Sequence, residues 1–284
     1  MKRRRLLCLI FAIFCGPGFA APSVDSASPS FRVGIAPHTS ARIILQMYQP
    51  LRSYLEKALG RPVTIVTASE FTEFARRGLK QEFDLAVTTG HQARLFETDA
   101  GYFPLLTYKA DFKAVVLVDN RSGFRKPADL AHSTVIGLSP SSLVTIWGQH
   151  WLYRNGIHNV QMRYVSASDS AVQLVLNAEG SAGMTSLANY QNLKPEVRER
   201  LRILDQSLPL AGRVYLLNKR NAAIKTKVEE MLWAFSATPE ATEYFSKYNL
   251  DGYRRLEARE LLAMEPYANE VRKAIKQETT KQEK

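Results

Sequence analysis

From residue 31 onward the apolar positions follow two alternating rhythms. Short β-rich runs are separated by longer stretches in which apolar side chains recur every three or four residues. Residues 31–36, 63–67 and 85–88 read as three strands, each feeding a helix. Between the first two, Ile43, Ile44, Met47, Leu51, Leu55 and Leu59 fall on one helical face. Pro50 is expected to kink that helix or begin a new one, and Gly60-Arg61-Pro62 to stop it. Strands at 103–108 and 112–118 precede a polar stretch, 119–126. The rhythm then restarts with a strand at 134–138, a helix at 142–155, a strand at 160–165, a helix at 169–176 and a strand at 182–185. Strands at 201–204 and 213–217 follow. The last third is helical over 222–235, 239–248, 258–264 and 267–277. Thr238-Pro239-Glu240 supplies a hydroxyl cap, a first-turn proline and an acid near the positive end of the dipole. The polar end, 277–284, is expected to fray.

This alternation of strand and helix is the mark of α/β layering, not of a sandwich or a bundle. The polar crossing after Val118 and the renewed rhythm beyond it predict two lobes, each a mainly parallel sheet flanked by helices. No internal repeat or low-complexity block interrupts them.

Residues 1–20 change the picture of where the chain works. Lys2, Arg3, Arg4 and Arg5 precede a short apolar run, Leu6 to Cys15, and Gly18-Phe19-Ala20 offers a small-x-small cleavage site. The pattern is that of an export signal cleaved near Ala20, and the run is too short to span a bilayer. Cys8 and Cys15 both lie in it, so the mature chain is expected to hold no disulfide and no thiolate metal site. The net charge is +11; without the four leader cations it is +7, 34 Lys and Arg against 27 Asp and Glu. Beyond the leader no basic run exceeds a pair such as Arg76-Arg77 or Lys219-Arg220, which argues against a nucleic-acid-binding stripe.

In open α/β sheets ligands sit beyond the carboxyl ends of the strands. Three loops there are rich in hydroxyls and open helices: Pro37-His38-Thr39-Ser40, Thr88-Thr89-Gly90-His91 and Ser139-Pro140-Ser141-Ser142. Unpaired N–H groups and the positive dipole end at a helix start suit an oxyanion, and Ser or Thr hydroxyls add donors. Capping alone explains any one such loop; three, in two lobes, favour a binding site. His91, and more weakly His38, can hydrogen-bond or neutralise an anion. Arg42 reads as solvent-facing, and His132, His150 and His158 as surface or packing histidines. No pair of histidines has zinc spacing, and there is no G-x-S-x-G elbow, Walker loop or G-x-G-x-x-G run. A binding protein with no cofactor, no metal and no catalytic site is expected.

The order of Gly34-Ile35-Ala36-Pro37, Tyr48-Gln49-Pro50-Leu51-Arg52-Ser53-Tyr54-Leu55-Glu56, Leu59-Gly60-Arg61-Pro62-Val63, Phe83-Asp84-Leu85-Ala86, Asp129-Leu130 and Ser139-Pro140-Ser141-Ser142 resembles the phosphate, phosphite and phosphonate solute-binding proteins of ABC importers. The resemblance implies the type II periplasmic-binding fold. Lobe 1 would then be discontinuous, 31–117 and 213–276, and lobe 2 would be 118–212, with hinge crossovers near Val118 and Gly212 and the lobes closing over ligand. It also implies that Ser141 and Ser142 grip the anion head, that Phe71 stands where a first-lobe tyrosine is usual, and that Thr88 to His91 form the facing loop. Two departures stand out: Ser168-Asp169 replaces a usual His-Asp pair, and Ala178-Glu179-Gly180-Ser181 replaces a Gly-x-Ala-Asp turn. The implied ligand is a small anion and the implied partner an ABC permease in the inner membrane, with a membrane histidine kinase as the alternative. A periplasmic monomer is expected.

Overall fold

The structure is a computed structural model that describes residues 29–282, so the export signal expected at 1–20 lies outside the described residues. The chain begins with β1 (Phe31–Ile35), α1 (Ala41–Leu59), β2 (Val63–Val66), α2 (Phe71–Leu79), β3 (Leu85–Thr89), α3 (Gly90–Ala100) and β4 (Phe103–Tyr108). It continues through β5 (Ala114–Asp119), β6 (Thr134–Gly137), α4 (Leu143–Arg154), β7 (Gln161–Tyr164), α5 (Ser168–Leu176), β8 (Ala182–Ser186), α6 (Leu187–Gln191), α7 (Pro195–Arg198) and β9 (Leu201–Gln206). It ends with β10 (Arg213–Leu217), α8 (Lys225–Ser236), α9 (Pro239–Lys247), β11 (Tyr253–Arg255), α10 (Ala258–Leu262) and α11 (Glu265–Gln282).

The strands form two sheets, in the orders β11-β4-β10-β3-β1-β2 and β7-β6-β8-β5-β9. Both are mixed, whereas mainly parallel sheets were the expectation. β1 runs parallel to β2 and β3, and β6 to β7 and β8, but β5 and β10, which enter from the other sheet, run antiparallel to their neighbours, as does the short edge strand β11 to β4. The cause is topological. Parallel strands leave their carboxyl ends at the gap between the sheets, and a segment arriving from the other sheet starts at that gap and runs the opposite way.

The first crossing also falls earlier than the sequence implied. β5 pairs with β8 and β9, so 114–119 belong to the second sheet and the chain crosses over 109–113, ahead of Val118. The return crossing is 207–212. The two crossings touch each other: Leu210 N donates to Phe112 O (2.8 Å) in an isolated antiparallel bridge.

The six-stranded sheet buries both faces. On one, Ile35, Val87 and Tyr215 meet Tyr48, Leu51 and Leu55 of α1 and Phe235 of α8. On the other, Ala86 and Val214 meet Phe74 of α2, Phe96 of α3 and Val271 of α11. Gly34 lets the Phe83 ring lie on β1, since a Cβ there would come within 2.5 Å of it. The second sheet packs α4, through Trp147 and Trp151, on one face and α5, through Val172 and Val175, on the other.

Two local expectations need correction. α1 runs through Pro50 as one helix, because Met47 and Tyr48 before it and Leu51 and Leu55 after it are buried in the same core, which offsets the lost hydrogen bond. The tail does not fray at 277: α11 continues to Gln282, and Arg76 Nη2 of α2 donates to Glu278 Oε2 at 2.7 Å.

Candidate ligand-binding site

A cavity of about 360 Å³ lies between the two sheets, at the modest end of the range for small-molecule pockets. Helix starts converge on it because the parallel strands all end there. Thr39 and Ile43 come from the start of α1, Thr89 caps α3, Ser142 and Leu143 open α4, Ser168 and Asp169 open α5, and Ser186 and Asn189 open α6.

The hydroxyls are fixed by local bonds. Ser142 Oγ accepts from Thr145 N (3.4 Å) as an N-cap and donates to Thr145 Oγ1 (2.9 Å). Ser186 Oγ accepts from Asn189 N at 3.1 Å. Asn189 Nδ2 reaches across to Ser168 Oγ (2.6 Å) and Thr185 Oγ1 (3.3 Å), and those two hydroxyls lie 2.9 Å apart. With Thr185 donating to Ser168, the Ser168 proton is free to turn into the cavity.

Arg213 supplies the cation. It opens β10, and its Nη1 faces Tyr48 Oη and His38 Nε2, both at 3.4 Å, while the guanidinium lies 5.4 Å from the centre of the Tyr108 ring. Among the described residues no carboxylate forms an ion pair with it. His38 Nδ1–H donates to Ala36 O (2.9 Å), which fixes Nε2 as an acceptor. Burial, and then the Arg213 charge, hold the His38 imidazole down to about 3, so it is neutral at physiological pH. His38 therefore orients the arginine.

Both rims of the cavity carry direct bonds between the halves. On one side Thr72 Oγ1 and Ser141 Oγ are 2.8 Å apart, and His91 Nε2–H donates to Ser141 O at 2.9 Å. On the other, Asn249 Nδ2 donates to Asn192 Oδ1 at 3.0 Å.

A sequence profile described as "ABC transporter, phosphonate, periplasmic substrate-binding protein" matches residues 33–261. The chain belongs to this family. Its fold recurs in solved structures of low identity. XAC2383 from Xanthomonas citri, bound to chloride ion, superposes with a TM-score of 0.74 at 18% identity, covering 86% of this chain and 99% of that one. PhnD1 from Prochlorococcus marinus in complex with methylphosphonate gives 0.74 at 12%, covering 86% and 98%. A binding-protein component of an ABC phosphonate transporter from Pseudomonas aeruginosa gives 0.69 at 14%, covering 90% and 99%. No curated protein sequence matches the chain.

In this substrate-binding protein the residues singled out from the sequence divide into two groups. His38, Phe71, Thr89, Ser142 and Ser168 line the cavity. Thr88, His91, Ser139 and Ser141 do not: Thr88 Oγ1 donates to Gln92 Oε1 (2.9 Å), Ser139 Oγ faces Ser141 Oγ (3.3 Å), and Ser141 and His91 join the halves at the rim. His91 is fully enclosed, and burial depresses its imidazole to about 4, so it is neutral and cannot serve as a cation. Its Nδ1 accepts from Thr89 Oγ1–H (3.1 Å), which leaves Thr89 with lone pairs and no free proton.

Arg213, Ser186, Asn189, Asn192 and Tyr248 were not anticipated. Arg213 left a signal, as a charged residue opening the apolar strand Arg213-Val214-Tyr215-Leu216-Leu217 just after Gly212. Asn189 sits on a five-residue helix and Asn192 and Tyr248 in turns, which no periodicity marks, while Ser186 ends β8, one residue past the strand read from the sequence. Among the described residues there is no cluster of metal-ligating side chains and no helix long and apolar enough to cross a membrane.

Proposed function

We propose that this substrate-binding protein captures an organic phosphonate or a related oxyanion in the cavity between its halves, catalyses nothing, and delivers the ligand to an ABC permease in the inner membrane. Export through the leader 1–20, with cleavage near Ala20, brings it to the periplasm as a monomer. The observation that carries this reading is the unpaired Arg213 guanidinium in a cavity ringed by helix starts. Arg213 is partly enclosed with no acid beside it, so an anionic ligand in the cavity supplies the charged partner it lacks. The N–H groups opening α4, with the Ser168 hydroxyl, donate to the oxygens, and Phe71 and Leu143 cover the organic part. Closure about 109–113 and 207–212 excludes water, and each fixed donor then counts for more.

Calorimetric titration with methylphosphonate, 2-aminoethylphosphonate, phosphite and phosphate tests it. Saturable one-to-one binding of at least one phosphonate is expected. Absence of heat from all four, with protein shown to be folded, overturns the reading.

A further inference from the structure

Arg213 and the α4 start approach the cavity from different sides of the six-stranded sheet: α4 packs on the second sheet, but Leu143 at its start reaches the core on the face opposite Arg213. Side chains alternate along β10: Tyr215 and Leu217 pack with α1, while Val214 and Leu216 pack on the other face with α2 and α3. Arg213 shares the Tyr215 face, and its Nη1 lies against Tyr48 and Met47 of α1 (3.4 and 3.8 Å). Phe71, and Leu143 at the start of α4, pack on the Val214 face. The cavity therefore straddles the end of the sheet, with hydroxyl and helix-start donors toward one side and a guanidinium toward the other. Between them Met47, Ile43 and Phe112 give apolar wall.

The guanidinium is oriented by neutral groups alone. Three other partly enclosed arginines carry carboxylates, Arg94 with Glu265 (2.6 Å), Arg254 with Glu260 (2.7 Å) and Arg272 with Asp99 (2.8 Å), and Arg198 and Arg202 bond backbone carbonyls, away from the cavity. Arg213 has a neutral imidazole acceptor, a phenol and an aromatic face, which orient it without neutralising it. A fork of N–H donors fixed in this way matches a planar carboxylate in two parallel hydrogen bonds.

We propose that Arg213 forms a second anion subsite, and that the ligand is a phosphonate whose organic end carries a carboxylate, joined by a short apolar spacer. This rests on the cavity being the ligand site, as argued above. The phosphonate takes the α4 end, the carboxylate takes Arg213, and the spacer lies along Met47 and Ile43.

The test is calorimetric comparison of 3-phosphonopropionate, ethylphosphonate and 2-aminoethylphosphonate on the full chain and on Arg213→Met and Arg213→Lys. The wild type is expected to bind 3-phosphonopropionate at least about tenfold more tightly than ethylphosphonate, the size of one charged hydrogen-bonded pair. Arg213→Met removes the preference for 3-phosphonopropionate, bringing the two within about twofold, and Arg213→Lys keeps part of the preference. A wild-type ratio near one, or a preference for 2-aminoethylphosphonate, overturns the second subsite while leaving the cavity as the ligand site. Equal loss of both ligands in Arg213→Met also overturns it, because the guanidinium then serves a single anionic head. If no phosphonate binds the folded wild type, the reading of the cavity falls with it. Should Arg213→Met fail to fold by circular dichroism, the wild-type ratio and Arg213→Lys decide.

Discussion

At the scale of single residues, His91 has its Nε2–H held by the Ser141 carbonyl and its Nδ1 by the Thr89 hydroxyl, inside a site closed to solvent. Neither nitrogen is available to a ligand, and burial lowers its pKa from 6.5 to about 4. The unfolded chain, with the ordinary value, binds a proton first as pH falls. Stability is thus at its full value above 6.5 and is lost as pH drops from there toward about 4, at up to about 1.4 kcal/mol per pH unit for this one group. His91→Gln keeps a donor for Ser141 and cannot titrate. Its unfolding free energy, followed by urea melts at several pH values, is expected to fall less steeply on the acid side than that of the wild type. An unchanged slope would show that His91 is not buried neutral. The sequence made His91 an anion contact because a histidine at a helix start reads the same whether it faces a ligand or a carbonyl 50 residues away. Arg213 is the converse: its strand was legible, but its function depends on having no acid beside it, which only tertiary packing decides.

At the scale of elements, most strands and helices were legible because their apolar spacing matched the faces they bury. α1 shows the rule, with Ile44, Met47, Tyr48, Leu51 and Leu55 all in one core. What escaped were elements set by long-range pairing. β11, three residues long, exists because Tyr253, Arg254 and Arg255 pair with Tyr108, Thr107 and Leu106. α6 is five residues, too short for a helical period to show. The final helix continues past 277, where Arg76 of α2 bonds Glu278, and further ion pairs tie its first turns to α3. Arg272 bonds Asp99 of α3 through two nitrogens, both at 2.8 Å, and Glu265 at 2.7 Å, while Arg94 of α3 also takes Glu265. These groups are roughly one-fifth to one-third exposed, so solvent weakens them, yet the network shares its ordering cost among several bonds. Arg272→Ala is expected to lower stability by about 1–2 kcal/mol, or the thermal midpoint by about 2–8 °C, with phosphonate affinity unchanged. A midpoint equal to the wild type's would show that the clasp is not energetic.

At the scale of the whole molecule, the two halves meet through two crossings that bridge each other at Phe112 and Leu210, and through rim contacts on both sides of the cavity. Gly90, opening α3, leans on the return crossing: its N–H donates to Ala211 O at 3.1 Å, and a Cβ there would come within 2.4 Å of the Ala211 Cβ. The loop that faces the cavity is thus packed directly on the return crossing. The rhythm of the sequence made two layered halves visible. It placed the first crossing too late, because an apolar run such as 112–118 looks the same in either sheet, and only its pairing with β8 and β9 assigns it.

The most direct measurement is a crystal structure of the protein grown with methylphosphonate. The expected result is the phosphonate between the two sheets, its oxygens contacted by the first N–H groups of α4 and the Ser168 hydroxyl on one half while Phe71 closes over it from the other. A phosphonate bound on one half alone, or away from this cavity, would contradict the claim that the two halves bind the anion jointly.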